Sequence, residues 1–162
     1  MELSLYEIMD NKVWVIEIKY GDRTVYTLHY DSESGESVLH TDDNLACFDS
    51  LDKLRNFCKE KQIILATDDI ARSFDFNLEI NEDAQCKRLI ENWNLLITMA
   101  GALGIEFEGN KKEYDRLYSR LFDHATPTQI LVIDKPEQAR LTRVFEGRTP
   151  IFEKIITIDA EV

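Results

Sequence analysis

Residues 81–103 read NEDAQCKRLIENWNLLITMAGAL, and the reading of this stretch decides the fold class. Leu89, Trp93, Leu96, Ala100 and Leu103 recur at spacings of four and three. At 100° per residue they draw one stripe along a helix. Lys87, Arg88, Glu91 and Asn92 lie off that stripe, so the first half is amphipathic. From Leu95 to Leu103 there is no charge, and a helix apolar on most faces has to be covered on most faces. The run is too short to span a bilayer. The expectation is a helix that begins near the surface and ends in the core. Asn81 is placed as its N-cap, with Glu82 and Asp83 in the first turn, and Gly104 as its stop.

Upstream, KVWVIEIK (12–19) has the β-branched and aromatic content of a strand. Alternation puts Trp14, Ile16, Ile18 and Tyr20 on its core face. Tyr20-Gly21-Asp22-Arg23 reads as a hairpin turn, residues 24–30 as the returning strand and 36–40 as a third. A helix follows, capped by Asp49 or Ser50, with Asp49 the better cap because Asp52 sits at the third helical position. QIILA (62–66) reads as a short buried strand, which makes residues 1–66 a β-β-β-α-β portion. Residues 67–73 form a polar connector with a helical turn or two, and FDFNLEI (74–80) alternates as a strand.

Downstream, Tyr114, Leu117, Tyr118, Leu121 and Phe122 stripe a second helix, giving a helical pair over 81–124. The remainder, 129–158, reads as closing strands (129–133 and 151–158) around a short helix that Pro136 helps to start. The elements predict one α+β domain over residues 1–162, a mostly antiparallel sheet with packed helices. No glycine-rich strand-to-helix loop is present, which excludes a Rossmann or P-loop reading.

An apolar fraction of 44% marks a folded chain and not an acidic disordered tail. The start MELSLYEIMD has no basic region ahead of an apolar core, so no signal peptide is expected and a cytoplasmic location is. Cys47, Cys58 and Cys86 are odd in number and widely spaced, which points to buried thiols and not to disulfides.

The net charge is -12, and residues 1–80 hold 17 acidic and 8 basic side chains. Between residues 24 and 52 there are seven acids and no Lys or Arg: Asp31, Glu33, Glu36, Asp42, Asp43, Asp49 and Asp52. Such a block argues against nucleic acid, which needs a cationic footprint, and against an anionic membrane. It suits a cationic protein partner, or solubility alone.

Catalytic and metal chemistry find little support. His29 and His40, with Asp31, Asp42, Asp43 or Cys47, assemble a metal set only on paper, because the spacing matches no compact motif. His124 falls at a helix C-terminus, where capping the last carbonyls is its expected role. Serines lack a nucleophile-elbow context. Adjacent acids such as Asp68-Asp69 arise by composition in a chain with 31 of them. No catalytic, cofactor-binding or metal residue is assigned, and the chain is not expected to be an enzyme.

The hairpin YGDRTVYTLHY (20–30) and the segment FDSLDKLRNFCKEKQIIL (48–65) resemble, in phrasing, size and acidity, the immunity proteins of bacterial toxin systems. That group includes the proteins that protect against contact-dependent growth inhibition. The resemblance covers the N-terminal third. It implies binding and neutralisation of a cognate cationic toxin, a basic nuclease, without cofactors, nucleic acid or membrane, and with a monomer favoured. The expected contact surface comprises Asp31, Glu33, Glu36, Asp42, Asp43 and Asp49, with Tyr30 and Phe48 as aromatic anchors. A regulatory or scaffolding protein-binding domain, and a small enzyme with a site assembled from scattered residues, stay open beside it.

Overall fold

The computed structural model describes residues 2–8, 11–126 and 129–159. A single helical turn, α1 (Leu5–Ile8), leads into the predicted hairpin of β1 (Val13–Tyr20) and β2 (Arg23–Ser32). Tyr20 pairs with Arg23, so the loop has two residues, and Gly21 supplies φ 56° at the first of them. That is where a type II′ turn demands glycine. Asn77 clasps the turn: Gly21 N–H donates to Asn77 Oδ1 at 2.8 Å, and Asn77 Nδ2 donates to the Gly21 carbonyl at 3.2 Å. β3 (Gly35–Val38) completes the meander.

β4 (Leu45–Cys47) and α2 (Leu51–Glu60) come next. Ser50, not Asp49, is the N-cap of α2; its side chain accepts from Lys53 N–H at 3.2 Å. Asp49 forms an ion pair with Lys53 instead. A long strand, β5 (Leu65–Asp75), then runs parallel to β1 at the sheet edge, giving the order β3-β2-β1-β5. This corrects three expectations. The buried strand at 62–66 is absent, for the strand starts at Leu65 and Ile64 is 85% exposed. Residues 67–73 are extended, because backbone pairing with β1 outweighs their weak helical pattern. Pairing ends at Asp75, so Phe76–Ile80 is not a strand, although Phe76 is buried.

The central helix α3 spans Cys86–Leu103 and ends at Gly104, whose φ of 66° is the left-handed cap expected there. Its start is later than predicted. Asn81 Oδ1 accepts from Asp83 N–H at 3.0 Å in a local turn, and β6 (Asp83–Gln85) pairs antiparallel with β7 (Ile130–Val132). The stripe itself is as predicted: Leu89, Trp93, Leu96, Ala100 and Leu103 are all buried. The helix packs against β3, β4, β5 and α4 (Asp115–Asp123), with β5 meeting its first half through Arg72–Glu91 and Asn92–Asp75. Two 3-10 turns, Glu108–Asn110 and Lys112–Tyr114, lead into α4, which packs Leu117 and Leu121 inward and leaves Phe122 exposed.

α5 (Lys135–Glu146) opens on a capping box of Asp134 and Glu137, with Pro136 in its first turn. α6 (Arg148–Phe152) follows directly, and β8 (Ile155–Thr157) pairs parallel with β4. The closing strand is therefore shorter than 151–158, because residues 148–152 stay helical.

The class is α+β. The main sheet is mixed, two antiparallel pairings and one parallel. Both faces of the hairpin are buried. Ile16, Ile18 and Val25 face α3; Val13, Val15, Leu28 and Tyr30 face the α2 side.

Candidate functional site

The acidic segment maps onto the edge of the meander. Asp31, Glu33, Glu36, Asp42, Asp43 and Asp49 are all exposed. They divide into two groups. Asp31 and Glu36 are direct cross-strand partners at the β2–β3 tip, with Glu33 in the turn. Asp42 and Asp43 occupy a loop closed by Thr41, whose N–H donates to the Asn44 carbonyl at 2.8 Å. The four-residue step from Glu36 to His40 sets this loop about 13 Å back along the strand direction. The nearby cation Lys53 is already paired with Asp49 and with Asp159, each at 3.1 Å.

The two aromatic anchors do not belong to this surface. Tyr30 and Phe48 are both 0% exposed. Tyr30 lies on the Leu28 face of β2, under α1 and α2, and Phe48 packs against Phe57 with ring centroids 5.0 Å apart. Alternation correctly pairs Tyr30 with Leu28, but it cannot show that this second face is also covered.

Tyr30 instead centres a polar network that sequence reasoning missed. The His40 N–H donates to Ser4 Oγ at 3.1 Å, Ser4 Oγ lies 2.9 Å from the Tyr30 oxygen, and the Tyr30 hydroxyl donates to Glu7 Oε1 at 2.7 Å. Glu7 Oε1 also meets His40 Nε2 at 3.2 Å, while His40 Nδ1 lies 2.8 Å from the Thr41 carbonyl. Burial, reinforced by the Glu7 carboxylate, holds the Tyr30 hydroxyl well above the usual tyrosine range despite the Ser4 bond. The set contains a serine, a histidine and an acid, yet no ring nitrogen reaches Ser4 Oγ. It is not a nucleophilic triad. What it does is fasten α1 to the sheet. A four-residue helix carries no sequence signal strong enough to have revealed it.

The remaining candidates resolve into ordinary roles. His29 lies 3.9 Å from Glu36, and burial lowers its pKa against the pull of that carboxylate. Cys47, Cys58 and Cys86 are free and buried, and burial pushes the first two thiols up to about 12 and about 11. Such thiols are poor nucleophiles and poor metal ligands. Among the described residues no three His, Cys, Asp or Glu side chains come together to hold a metal. His124 Nδ1 lies 2.8 Å from the Arg120 carbonyl, the capping place expected. Arg148 donates to the Phe145 carbonyl, and Arg143 sits by the Tyr114 hydroxyl. No described helix is long and apolar enough to cross a membrane.

A further cavity lies between α1 and the α2–β5 connection. It is a groove of about 640 Å³. Leu5 and Ile8 form one wall; Ile63, Ile64 and Leu65 form the other; Lys12 and Lys61 also line it.

No family model matches the chain, and no curated protein matches it by sequence. Its fold is similar to that of the SatS C-terminal domain, whose crystal structure was determined in complex with bromine. The TM-score is 0.61 at 14% identity, over 90% of this chain and 94% of that one. At that identity the likeness speaks for the fold alone.

Proposed function

We propose that the chain is a protein-binding, immunity-type inhibitor that engages a cationic partner, a toxin of nuclease type, through the acidic edge of its meander. The observation that supports this most is the Asp31–Glu36 pairing. Two like charges sit directly opposite each other in register, an arrangement that destabilises a sheet by roughly 0.2–1 kcal/mol. A bound lysine or arginine relieves that repulsion, and a complementary field raises the association rate by roughly 10- to 1,000-fold at low salt. The resemblance of the N-terminal third supplies the toxin class.

The test uses the product of the neighbouring gene as the partner, with association followed by stopped flow over a salt series. Asp31→Lys is expected to raise the melting temperature of the free chain, because it replaces repulsion with a cross-strand ion pair. The same change is expected to slow association at least tenfold at low salt and to flatten the salt dependence. Asp42→Lys with Asp43→Lys is expected to slow association in the same way without the gain in stability. A failure to form a stable complex with a basic partner, or an unchanged rate and salt slope, would remove this reading.

A further inference from the structure

We infer that the open edge of β7 pairs with the same strand of a second copy of this chain, so that two β6–β7 ribbons join about a two-fold axis into one four-stranded antiparallel sheet. The first observation is exposure. Ile130 is 59% exposed and Val132 68%, although the strand that carries them packs Leu131 against the core. The two stand on one face of the ribbon with Asp83 and Gln85, while Leu131 and Ala84 turn to the other.

The hydrogen bonds set the direction of the backbone. Ile133 N–H donates to the Glu82 carbonyl at 2.9 Å. In an antiparallel ladder this makes Asp83–Val132 and Gln85–Ile130 the non-hydrogen-bonded pairs and leaves Leu131 to exchange bonds with Ala84. The N–H and C=O groups of Ile130 and Val132 therefore point away from β6, and no described strand takes that side. An open row of donors and acceptors beside exposed apolar side chains is a template for a further strand.

The row is self-complementary. A two-fold axis at Leu131 sets Ile130 opposite the partner's Val132 and Val132 opposite the partner's Ile130, each pair exchanging two hydrogen bonds. The register agrees with the ladder: the two residues whose groups point outward are the two that it pairs. On the exposed face, Ile130 and Val132 of both copies close into one apolar block, with Asp83 and Gln85 as its polar rim. Charge favours the same order. Lys87 and Arg88 line a hollow with Ile130 at one end of the ribbon, where Glu91 is already engaged by Lys87 and Arg72. At the Val132 end, Glu82, Asp83 and Asp134 outnumber Lys135. The two-fold axis brings the basic end of each copy toward the acidic end of its partner, whereas a parallel arrangement would oppose like with like.

The test is sedimentation velocity on the whole chain from about 5 to about 500 µM, the weak range to which a contact below about 1,200 Å² belongs. A reversible monomer–dimer equilibrium is expected. Val132→Lys changes an exposed side chain, leaves the melting temperature in place and is expected to weaken the dimer at least tenfold. Asp83→Lys is expected to weaken it at least threefold through the lost charge match. Leu131→Cys tests the axis. Its two thiols would meet in a non-hydrogen-bonded pair, at about 4.5 Å between Cα atoms, within reach of a disulfide. Mild oxidation is expected to link this variant into a dimer and to leave Gln129→Cys, which faces the partner's Ile133, unlinked; the native thiols are buried. A monomer at every concentration would overturn the inference and leave the edge to a different protein. A dimer that neither lysine substitution weakens, or one that links through Gln129→Cys in place of Leu131→Cys, would overturn it as well.

Discussion

On the face of the main sheet that carries Ile16, Ile18 and Val25, α3 lies across the strands and is itself roofed by α4, α6 and the first 3-10 turn. On the opposite face, Val13, Val15, Leu28 and Tyr30 pack, among the described residues, with α2, the single turn of α1, Leu39, Ala46 and Phe48. The first core takes in 28 of the described buried residues and the second 11. The larger core leaves little of its central helix in water. The smaller one reaches its own edge, and there Ile64 (85% exposed) remains uncovered on the groove wall. The difference teaches a division of labour: one side supplies the stability that lets the other stay open.

The sharpest way to break this comparison is Trp93→Ala. Trp93 is 0% exposed and meets Tyr118 edge-on at 5.1 Å between ring centroids. Its truncation is expected to cost about 3–5 kcal/mol by urea denaturation. A loss under about 1 kcal/mol would show that the α3 side is not the stabilising half. Tyr30→Phe probes the other side. It leaves the Ser4 hydroxyl and the Glu7 carboxylate without their shared partner, at an expected cost of about 1–3 kcal/mol. Amide exchange at Leu5–Ile8 is expected to accelerate while exchange in α3 stays as it was; equal acceleration in both would mean that the two cores act as one. The smallest effect is a gain. Gln62→Gly relieves the left-handed backbone at φ 57° and is expected to stabilise by about 0.5–1 kcal/mol in thermal melts. A loss would show that the Gln62 side chain contributes more than its strain costs.

The same asymmetry explains what was legible in the sequence. The α3 stripe could be read because one helix buries it continuously, and the β1–β2 turn because Gly21 sits where only glycine is comfortable. β5 could not be read. Its burial is sparse, and it is a strand only because β1, about fifty residues earlier, offers it an edge. Asn81 looked like a helix cap because a local Asx turn and an N-cap use the same side chain in nearly the same way. The acidic half of the expected surface is exposed as read. Its aromatic half, Tyr30 and Phe48, failed for one physical reason: period-two alternation reports two faces and does not say that both are covered. The polar network and the groove depend on α1, whose four residues carry too little pattern to register.

The pairing of β4 with β8 has a bearing on how the chain is made. The acidic loop at Asp42 and Asp43 is anchored by Leu45 N–H to the Lys154 carbonyl at 2.9 Å and by Asn44 Nδ2 to the same carbonyl at 3.2 Å, a separation of 110 residues in sequence. At translation speeds of about 5–20 residues per second, that gap amounts to roughly 5–20 s on the ribosome. During that interval the hairpin can form and the loop has its local bonds, Thr41 N–H to the Asn44 carbonyl and Ala46 N–H to the Leu39 carbonyl, but not the two to Lys154. The acidic edge therefore gains its last hydrogen bonds only once residues 154–158 have emerged, and a nascent chain stalled before them would hold the loop by its local bonds alone.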